Sequence, residues 1–314
     1  MRKLILYRLA SSLVVLVLLS VILFSLVQLS PIDPVAIALG DGATPEQKQA
    51  LVEEWGLDQP AVLRYFDWVT AAARGDLGTS LIGGEPVTHE LVARLPVSIS
   101  LWGGAVFLAL AGGVATGLFA GARPGSIADR IVTFTASIGL ALPGFWVGIL
   151  FANALAVQLR WFPVIGYTPL TENPLEWARG LVLPCTALAV HGVAVIARQT
   201  RGTVIEAFDA PYVQAQRANG APERVVALRY VVKNALAPVL PVMGIQVGII
   251  VANAVVMERI YALPGIGSLL IDAIVDNDLP VLLGGVMLVA CVILTVNLLV
   301  DVGLGLLDPR VRPA

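Results

Sequence analysis

Few side chains in this sequence have the types and spacing that chemistry requires. There are two histidines, His89 and His191, and two cysteines, Cys185 and Cys291, each of the latter inside an apolar run. This pattern offers neither a CxxC metal site nor a disulfide framework. The chain also lacks a G-x-x-x-x-G-K-[ST] phosphate loop, a His-Glu-x-x-His motif and a Gly-x-Ser-x-Gly motif. We therefore expect no metal, no cofactor and no catalytic site, and any ATP-driven step must take place on another chain.

The remaining chemistry lies in polar or helix-breaking residues inside apolar runs, which are default candidates for a transport pathway. Five positions are predicted as candidate pore-lining residues: Pro143, Phe145, His191, Gln246 and Asn253. Gln246 and Asn253 are seven residues apart and share one helix face, which fits pore lining and helix packing equally well. For His191 a packing hydrogen bond is favoured over a pore or metal contact. The Pro-Gly pair that begins at Pro143 predicts a kink or a pore hinge.

Two other patterns predict contacts between helices. Asn297 and Asp301 are four residues apart on one face and favour interhelical hydrogen bonding. Small residues recur at helical spacing in one apolar run and would let that helix approach a neighbour closely; they are Gly112, Gly113, Gly117 and Gly121.

The elements that must position these residues are membrane-spanning helices. Of the 314 residues, 57% are hydrophobic and only 13% are charged, about half the charged fraction of a soluble domain, and the mean hydropathy is +0.85. A span needs about 20 mostly apolar residues. Six such runs are predicted, with five or seven as alternatives: 9–29, 97–122, 131–157, 181–197, 236–257 and 281–306.

The first run follows a basic start, as a signal peptide does, but it is too long for an ordinary signal and lacks a clean cleavage site. We interpret it as a retained anchor. Outside segments would hold seven of the 20 Lys and Arg and inside segments the other 13, which predicts that both termini are cytosolic. The outside seven are Lys48, Arg64, Arg74, Arg94, Arg160, Arg179 and Arg259.

The segment between the first two spans, residues 30–96, is predicted to be a small helical cap outside the membrane. Thr44 followed by Pro45 marks a helix that ends near Gly56. A second helix is expected over 61–73 and a third, short one over 87–95. Between the last two spans, an acidic edge is interpreted as solvated; it consists of Glu258, Asp272, Asp276 and Asp278.

The loop over 198–235 is patterned as two short helices that meet at a glycine. Thr203 to Phe208 extends the preceding span, and Pro211 begins a helix that Gly220 ends. Another helix is predicted from Pro222 to about Lys233, with Val225, Leu228 and Val232 on one face. Such a projecting elbow, with small side chains and a basic rim, suits docking into a groove on a cytosolic partner. The residues assigned to it are Tyr212, Gln214, Ala215, Gln216, Arg217, Ala218, Gly220, Ala221 and Pro222.

This loop resembles the cytosolic coupling loop of binding-protein-dependent ABC importer permeases. Gly220 is in register with the glycine of that motif, while Gln214-Ala215-Gln216 stands where Glu-Ala-Ala is usual. Further short motifs resemble the dipeptide, oligopeptide and nickel subfamily, and the long outer segment resembles the first of its two paralogous permeases. In chain order these motifs begin at Pro31, Thr44, Gly56, Gly75, Arg94, Leu142, Trp161, Leu263 and Asp308.

The resemblance implies an all-α, type I importer permease with an anchor (1–29), an outer segment (30–96), a membrane core (97–306) that includes the loop 198–235, and a cytosolic tail (307–314). It implies a second paralogous permease, two cytosolic ATP-binding subunits, an external solute-binding protein and a peptide substrate in the cytoplasmic membrane, with no nucleic acid. Nickel or glutathione are the alternative substrates. A secondary transporter or channel is a weaker alternative, because it would show inverted repeats or a proton-relay set of carboxylates, whereas only Asp301 is a charged residue well inside a run. An intramembrane enzyme is weaker still.

Overall fold

A computed structural model describes residues 2–29, 34–40 and 42–307. The beginning of the Pro31 motif and the tail 308–314 lie outside these residues. The described chain is helical, with a single isolated β-bridge between Thr79 and Pro86. It divides into two compact units. Unit 1 consists of Met1–Arg8, Ile99–Leu263 and Thr295–Ala314, and unit 2 of Leu9–Ser98 and Pro264–Leu294.

Fourteen α-helices are found among the described residues, some of them joined by tighter or wider turns. Their bounds are α1 Arg2–Leu29, α2 Pro34–Leu39, α3 Pro45–Glu54, α4 Ala61–Ala73, α5 Val87–Gly121, α6 Ile127–Ala141, α7 Gly144–Phe151, α8 Pro174–Asp209, α9 Pro211–Ala218, α10 Glu223–Val225, α11 Val232–Leu236, α12 Leu240–Ile260, α13 Ile266–Asp276 and α14 Leu279–Leu307. A π-helical stretch, Ala152–Gln158, follows α7; another, Val226–Val231, joins α10 to α11; and a 3-10 turn, Ala237–Val239, joins α11 to α12.

Among the described residues, five helices are long and apolar enough to cross a membrane, and the count is six if one bent pair is a single span. That pair is α6 with α7 and its π-helical continuation, and the two parts meet at 102°. The bend falls at Leu142 and Pro143, where proline has no N–H for the helical ladder. The predicted membrane architecture of about six spans is confirmed.

Local signals in unit 2 are largely as predicted. The Thr44 hydroxyl accepts from the Gln47 amide N–H, and the Gln47 side chain accepts from the Thr44 N–H, which forms a capping box at the start of α3. Helix α4 has the predicted bounds. The prediction of a separate short helix over 87–95 is wrong, because α5 continues through Pro96 into the second span.

The acidic edge predicted to be solvated is also partly wrong. In unit 1 Glu258 is fully buried, and in unit 2 Asp278 is 5% exposed. The Asp278 carboxylate accepts from the Ser80 hydroxyl and from the Val281 N–H at the start of α14. The Asp278 carboxylate therefore has the hydrogen-bond donors that a buried carboxylate requires.

Helix contacts within unit 1 follow the small-residue pattern. A Cβ at Gly113 would lie 2.6 Å from Cβ of Ile196, and a Cβ at Gly121 would lie 2.8 Å from Cβ of Val204. Helices α5 and α8 can therefore approach this closely only because glycine stands at these positions. We refer to this contact as the glycine seam.

Candidate functional site

The elbow predicted over residues 198–235 has the expected helix–turn form. Helix α8 ends at Asp209, Ala210 adopts an extended conformation, and α9 begins with Pro211 in its first turn. Gly220 follows α9 with φ +80°, a backbone conformation that side chains rarely tolerate. A Cβ there would meet no atom within 4 Å. Substitution at Gly220 would therefore act through backbone strain and not through a clash.

A small hydrophobic core supports the elbow from beneath. Val213 of α9 is fully buried against Val204 and Ala207 of α8 and against residues that follow the elbow. Six buried side chains form this cluster: Val204, Ala207, Val213, Val226, Val231 and Ala235. Because α8, α9 and the following helices share one core, the elbow is positioned by the membrane helix that precedes it.

The face predicted to carry Val225, Leu228 and Val232 is not the buried face of the segment after the elbow. Val225 is 40% and Leu228 is 61% exposed, whereas Val226, Val231 and Ala235 are buried. The prediction used α-helical spacing throughout, but Val226–Val231 is π-helical. In a π-helix the same face recurs after about five residues, which brings Val226 and Val231 to the core.

An ion pair closes the elbow across its glycine. The Arg217 guanidinium donates from Nε to Glu223 Oε1 at 2.7 Å and from Nη2 to Oε2 at 3.2 Å, and its Cζ lies 5.5 Å from the centre of the Phe208 ring. Hydrogen bonding to the Glu223 carboxylate raises the pKa of Arg217 above its ordinary value. Arg217 is therefore a fixed positive charge held at the elbow surface.

The outward face of the elbow is small and polar. Tyr212 is 41% exposed, and Gln214, Ala215, Ala218 and Pro222 are exposed as well. The Gln214 side-chain amide donates to the carbonyl of Asp209 at 3.3 Å. Gln216 and Ala221 are half-buried. All nine residues assigned to the elbow from sequence therefore lie on α9 or in the turn that follows it, and most of them face outward.

A second feature of unit 1 is a cavity of about 340 Å³ beside the break between α6 and α7. Four of the five candidate pore-lining residues line it: Pro143, His191, Gln246 and Asn253. Phe145 is not among the lining residues and is 48% exposed. The structure thus brings together residues that are more than 100 positions apart in sequence.

Gln246 is the most unusual of these lining residues. It is 5% exposed, and its Oε1 has no hydrogen-bond partner among the described residues. Asn253 lies seven residues further along α12, and its side-chain amide instead donates to the Ile249 carbonyl at 2.8 Å. A buried amide oxygen without a donor costs free energy, which makes Gln246 the lining group most in need of a hydrogen-bond donor.

One buried pair was not singled out by sequence reasoning. The Asp129 carboxylate, whose side chain is 4% exposed, accepts both Nε and Nη2 of Arg201, the latter at 2.9 Å. It also accepts the Gly125 N–H at 2.9 Å. The only sequence signal is Ser126 three residues earlier, which caps α6 by accepting the Asp129 N–H. The pairing of α6 with α8 depends on tertiary structure.

Another pair supports the predicted role of Asp301. Its carboxylate lies 3.0 Å from Nη2 of Arg8, so the beginning of α1 contacts the final turns of α14. Among the described residues, no group of three or more His, Cys, Asp or Glu side chains could hold a metal ion.

The fold and the elbow together define a multi-pass, all-helical membrane protein with a projecting loop of the permease type. Residues 113–313 match the family described as "Binding-protein-dependent transport system inner membrane component", and residues 1–102 match the family of the corresponding N-terminal segment. The chain belongs to this family of inner-membrane transport components, and the family predicted from sequence is confirmed.

Curated relatives match over nearly the whole chain. A di/tripeptide transport system permease of Pseudomonas aeruginosa is 37% identical, and a dipeptide transport system permease of Escherichia coli is 34% identical, each with 92% of both chains covered. An oligopeptide transport system permease of Bacillus subtilis is 31% identical over 93% of this chain and 94% of its own length. The chain is thus the membrane component of an ABC importer that works with a solute-binding protein and ABC partners.

Proposed function

We propose that this permease carries peptides of the dipeptide to oligopeptide class into the cytosol as one half of a heterodimeric pore. The names of its relatives support the substrate class. A second, paralogous permease supplies the other half, and two cytosolic ATP-binding subunits supply ATP hydrolysis, because this chain has no phosphate-binding loop. Uptake of a labelled dipeptide, compared with uptake of Ni²⁺ and of glutathione, by the reconstituted transporter tests the substrate.

Both termini lie on the cytosolic side in this proposal. Loop charge supports the orientation, and the ion pair of Arg8 with Asp301 places the beginning of α1 beside the end of α14. The division into anchor 1–29, outer segment 30–96, core 97–306 and tail 307–314 follows from the same orientation. The side on which each terminus lies is measured with a protease-cleavable tag placed at that terminus. Cleavage by a protease that has access only to the cytosolic side is expected for both tags.

The elbow is proposed to dock on an ATP-binding subunit and to pass its motion into the membrane. The observation that carries this role is the rigid support of α9: Val213 is buried in a core shared with α8, while Tyr212, Ala215 and Arg217 remain exposed. A force applied to the outward face would therefore reach α8 and, through the same core, α11. Exposed, small side chains allow close contact with a groove on the partner.

Replacing Arg217 by glutamate is expected to reduce ATP-dependent peptide uptake by about 10-fold or more, because it reverses the charge at the docking surface. Folding should change little, because an exposed ion pair contributes little to stability. Uptake into proteoliposomes and retention of the ATP-binding subunits during purification are the measurements.

Glu223→Gln is the matched control, because it breaks the same ion pair and leaves Arg217 in place. We expect this variant to transport normally. If Glu223→Gln loses as much uptake as Arg217→Glu, or if adding Glu223→Arg to Arg217→Glu restores full uptake, then Arg217 acts only by closing the elbow. Docking through Arg217 would then be wrong.

The cavity beside Pro143 is proposed to be part of the substrate pathway, in which Gln246 Oε1 accepts an N–H of the passing peptide. Gln246→Leu removes one hydrogen bond worth about 0.5–1.5 kcal/mol, or roughly 2- to 12-fold in uptake. It also removes an unpartnered buried oxygen, so the thermal stability of the variant should be equal or higher. This opposite movement of transport and stability distinguishes a pathway residue from a packing residue.

The control for this experiment is Ile249→Leu, which keeps the volume and the apolar character of another lining residue. Both variants are assayed for uptake of the same dipeptide and for the midpoint of thermal unfolding. Unchanged uptake by Gln246→Leu would exclude Gln246 from the pathway.

A further inference from the structure

Helix α4 of unit 2 packs one of its faces against α1. The Tyr65 hydroxyl lies 2.8 Å from Oγ of Ser20, and the Tyr65 ring meets the Phe24 ring edge-on at 5.5 Å. The Trp68 ring, one turn further along α4, lies 6.3 Å from the same Phe24 ring. These contacts fix which side of α4 faces the protein.

The contact lies beside the part of α1 that crosses the membrane. Ser20 and Phe24 are both inside the candidate span Ile5–Leu29. Ser20 comes nine residues before Leu29, which is about 13 Å along the helix axis at 1.5 Å per residue. Nearer the end of α1, Arg64 donates to the Gln28 side chain at 3.0 Å. Helix α4 therefore extends from the end of α1 to well inside its apolar length.

The face of α4 that points away from α1 is apolar. Val62, Leu63 and Phe66 are 65%, 54% and 60% exposed. The polar group on this face, the Thr70 hydroxyl, donates back to the Phe66 carbonyl at 2.7 Å, so it does not require water. Because these residues recur at helical spacing, they form one stripe along α4.

The charged side chains of α4 are kept apart from this stripe. Arg64 and Asp67 line a cavity of about 470 Å³ in unit 2, together with Gln28 and Trp68. A membrane-associated amphipathic helix has this division, with an apolar face toward the acyl chains and polar groups directed to another side.

We propose that α4 enters the bilayer alongside α1, with Val62, Leu63 and Phe66 among the acyl chains of the leaflet that holds the C-terminal half of α1. The helix that carries this stripe packs on α1, which itself presents Val21, Ile22 and Leu26 as exposed apolar side chains. Exposing both apolar surfaces to water would be unfavourable in free energy, whereas contact with lipid acyl chains is not. Part of the segment between the first two spans is then a membrane-bound element and not a cap in water.

Spin labelling tests this placement in the complete transporter, reconstituted in phospholipid bilayers. A label is attached at Phe66→Cys in a background of Cys185→Ala and Cys291→Ala, and its collisions with oxygen and with a water-soluble nickel complex are compared. Leu18→Cys on α1 is the lipid-facing reference, because Leu18 is 58% exposed within the span. Gln49→Cys on the exposed side of α3 is the aqueous reference.

We expect the label at position 66 to behave like the one at position 18, with frequent oxygen collisions and loss of the nickel collisions seen at position 49. Nickel collisions equal to those at position 49 would overturn the proposal. So would protection from both reagents, because that outcome means that protein covers the stripe.

A second measurement avoids the cysteine substitutions. Phe66→p-benzoylphenylalanine, introduced into the native chain, forms a covalent adduct with its neighbour on illumination. Mass spectrometry should find phospholipid adducts at this position and none for the same replacement at Gln49. Adducts mainly to another protein subunit would overturn the proposal.

Discussion

Replacing Gly117 by valine is expected to destabilise the membrane core severely. A Cβ at this position would lie 2.6 Å from the Ala197 carbonyl oxygen and 2.6 Å from Cβ of Thr200. The first of these atoms belongs to the backbone of α8 and cannot rotate away. The two helices must separate, and overpacking of this kind costs about 1–3 kcal/mol or more.

The measurement is the midpoint of thermal unfolding of the purified permease, together with the yield of transporter assembled with its partners. Gly103→Val is the matched control in the same helix, because a Cβ at Gly103 meets no atom within 4 Å. It should unfold at the native temperature. Equal midpoints for Gly117→Val and the native protein would contradict the glycine seam.

Replacing Asp129 by asparagine is expected to be the second severe change. The carboxylate is almost fully buried and accepts Arg201 through both of its oxygens, as well as the Gly125 N–H. Removing its charge leaves the guanidinium without a counter-ion. Breaking a buried pair from one side costs about 3–5 kcal/mol, and the exposure of about a third of the Arg201 side chain places this case near the lower end.

A double-mutant cycle separates the pair from its surroundings. Arg201→Gln alone should also destabilise the permease, but in the presence of Asp129→Asn it should cost much less, since two amides can still share a hydrogen bond. Glu206→Gln is the control, because it removes the same charge from an exposed position on α8. Additive losses in the cycle would show that Asp129 and Arg201 act independently.

Gly117 and the Asp129–Arg201 pair both join a neighbouring helix to α8. They therefore bear on the proposed coupling between the ATP-binding subunit and the membrane helices. The glycine seam ends at Gly121 against Val204, and Val204 belongs to the core beneath the elbow. Leu118 of α5 packs against the same core. A displacement of α9 would therefore be carried by α5 and α8 together, and the Asp129 pair would bring α6 with them. Variants that loosen the seam should weaken coupling before they prevent insertion.

Local signals in the sequence were sufficient for most of the elements. The capping residues Thr44 and Gln47, and the helix that Gly220 ends, depend on hydrogen bonds and backbone angles within a few residues. The prediction of a separate helix over 87–95 failed because α5 continues through Pro96 into the second span. The buried face after the elbow was misassigned because a π-helical turn has no reliable sequence signature.

The candidate site likewise has one part that local sequence signals predict and another part that they do not. Its elbow residues were found from sequence because they are contiguous and depend on one glycine with positive φ. The pairing of Asp129 with Arg201, and the cavity that Pro143 shares with Gln246, join residues 72 and about 100 positions apart. Such contacts have no local pattern.

The sequence by itself determined that this chain crosses a membrane several times, because spans follow from length and hydropathy alone. It also determined where the projecting loop lies and, through its ordered motifs, the family to which the chain belongs. Only the tertiary structure decided which polar groups are buried, which glycines touch a neighbour, and that α4 lies along α1. The physical reason is that burial and close approach depend on the neighbours that folding brings together.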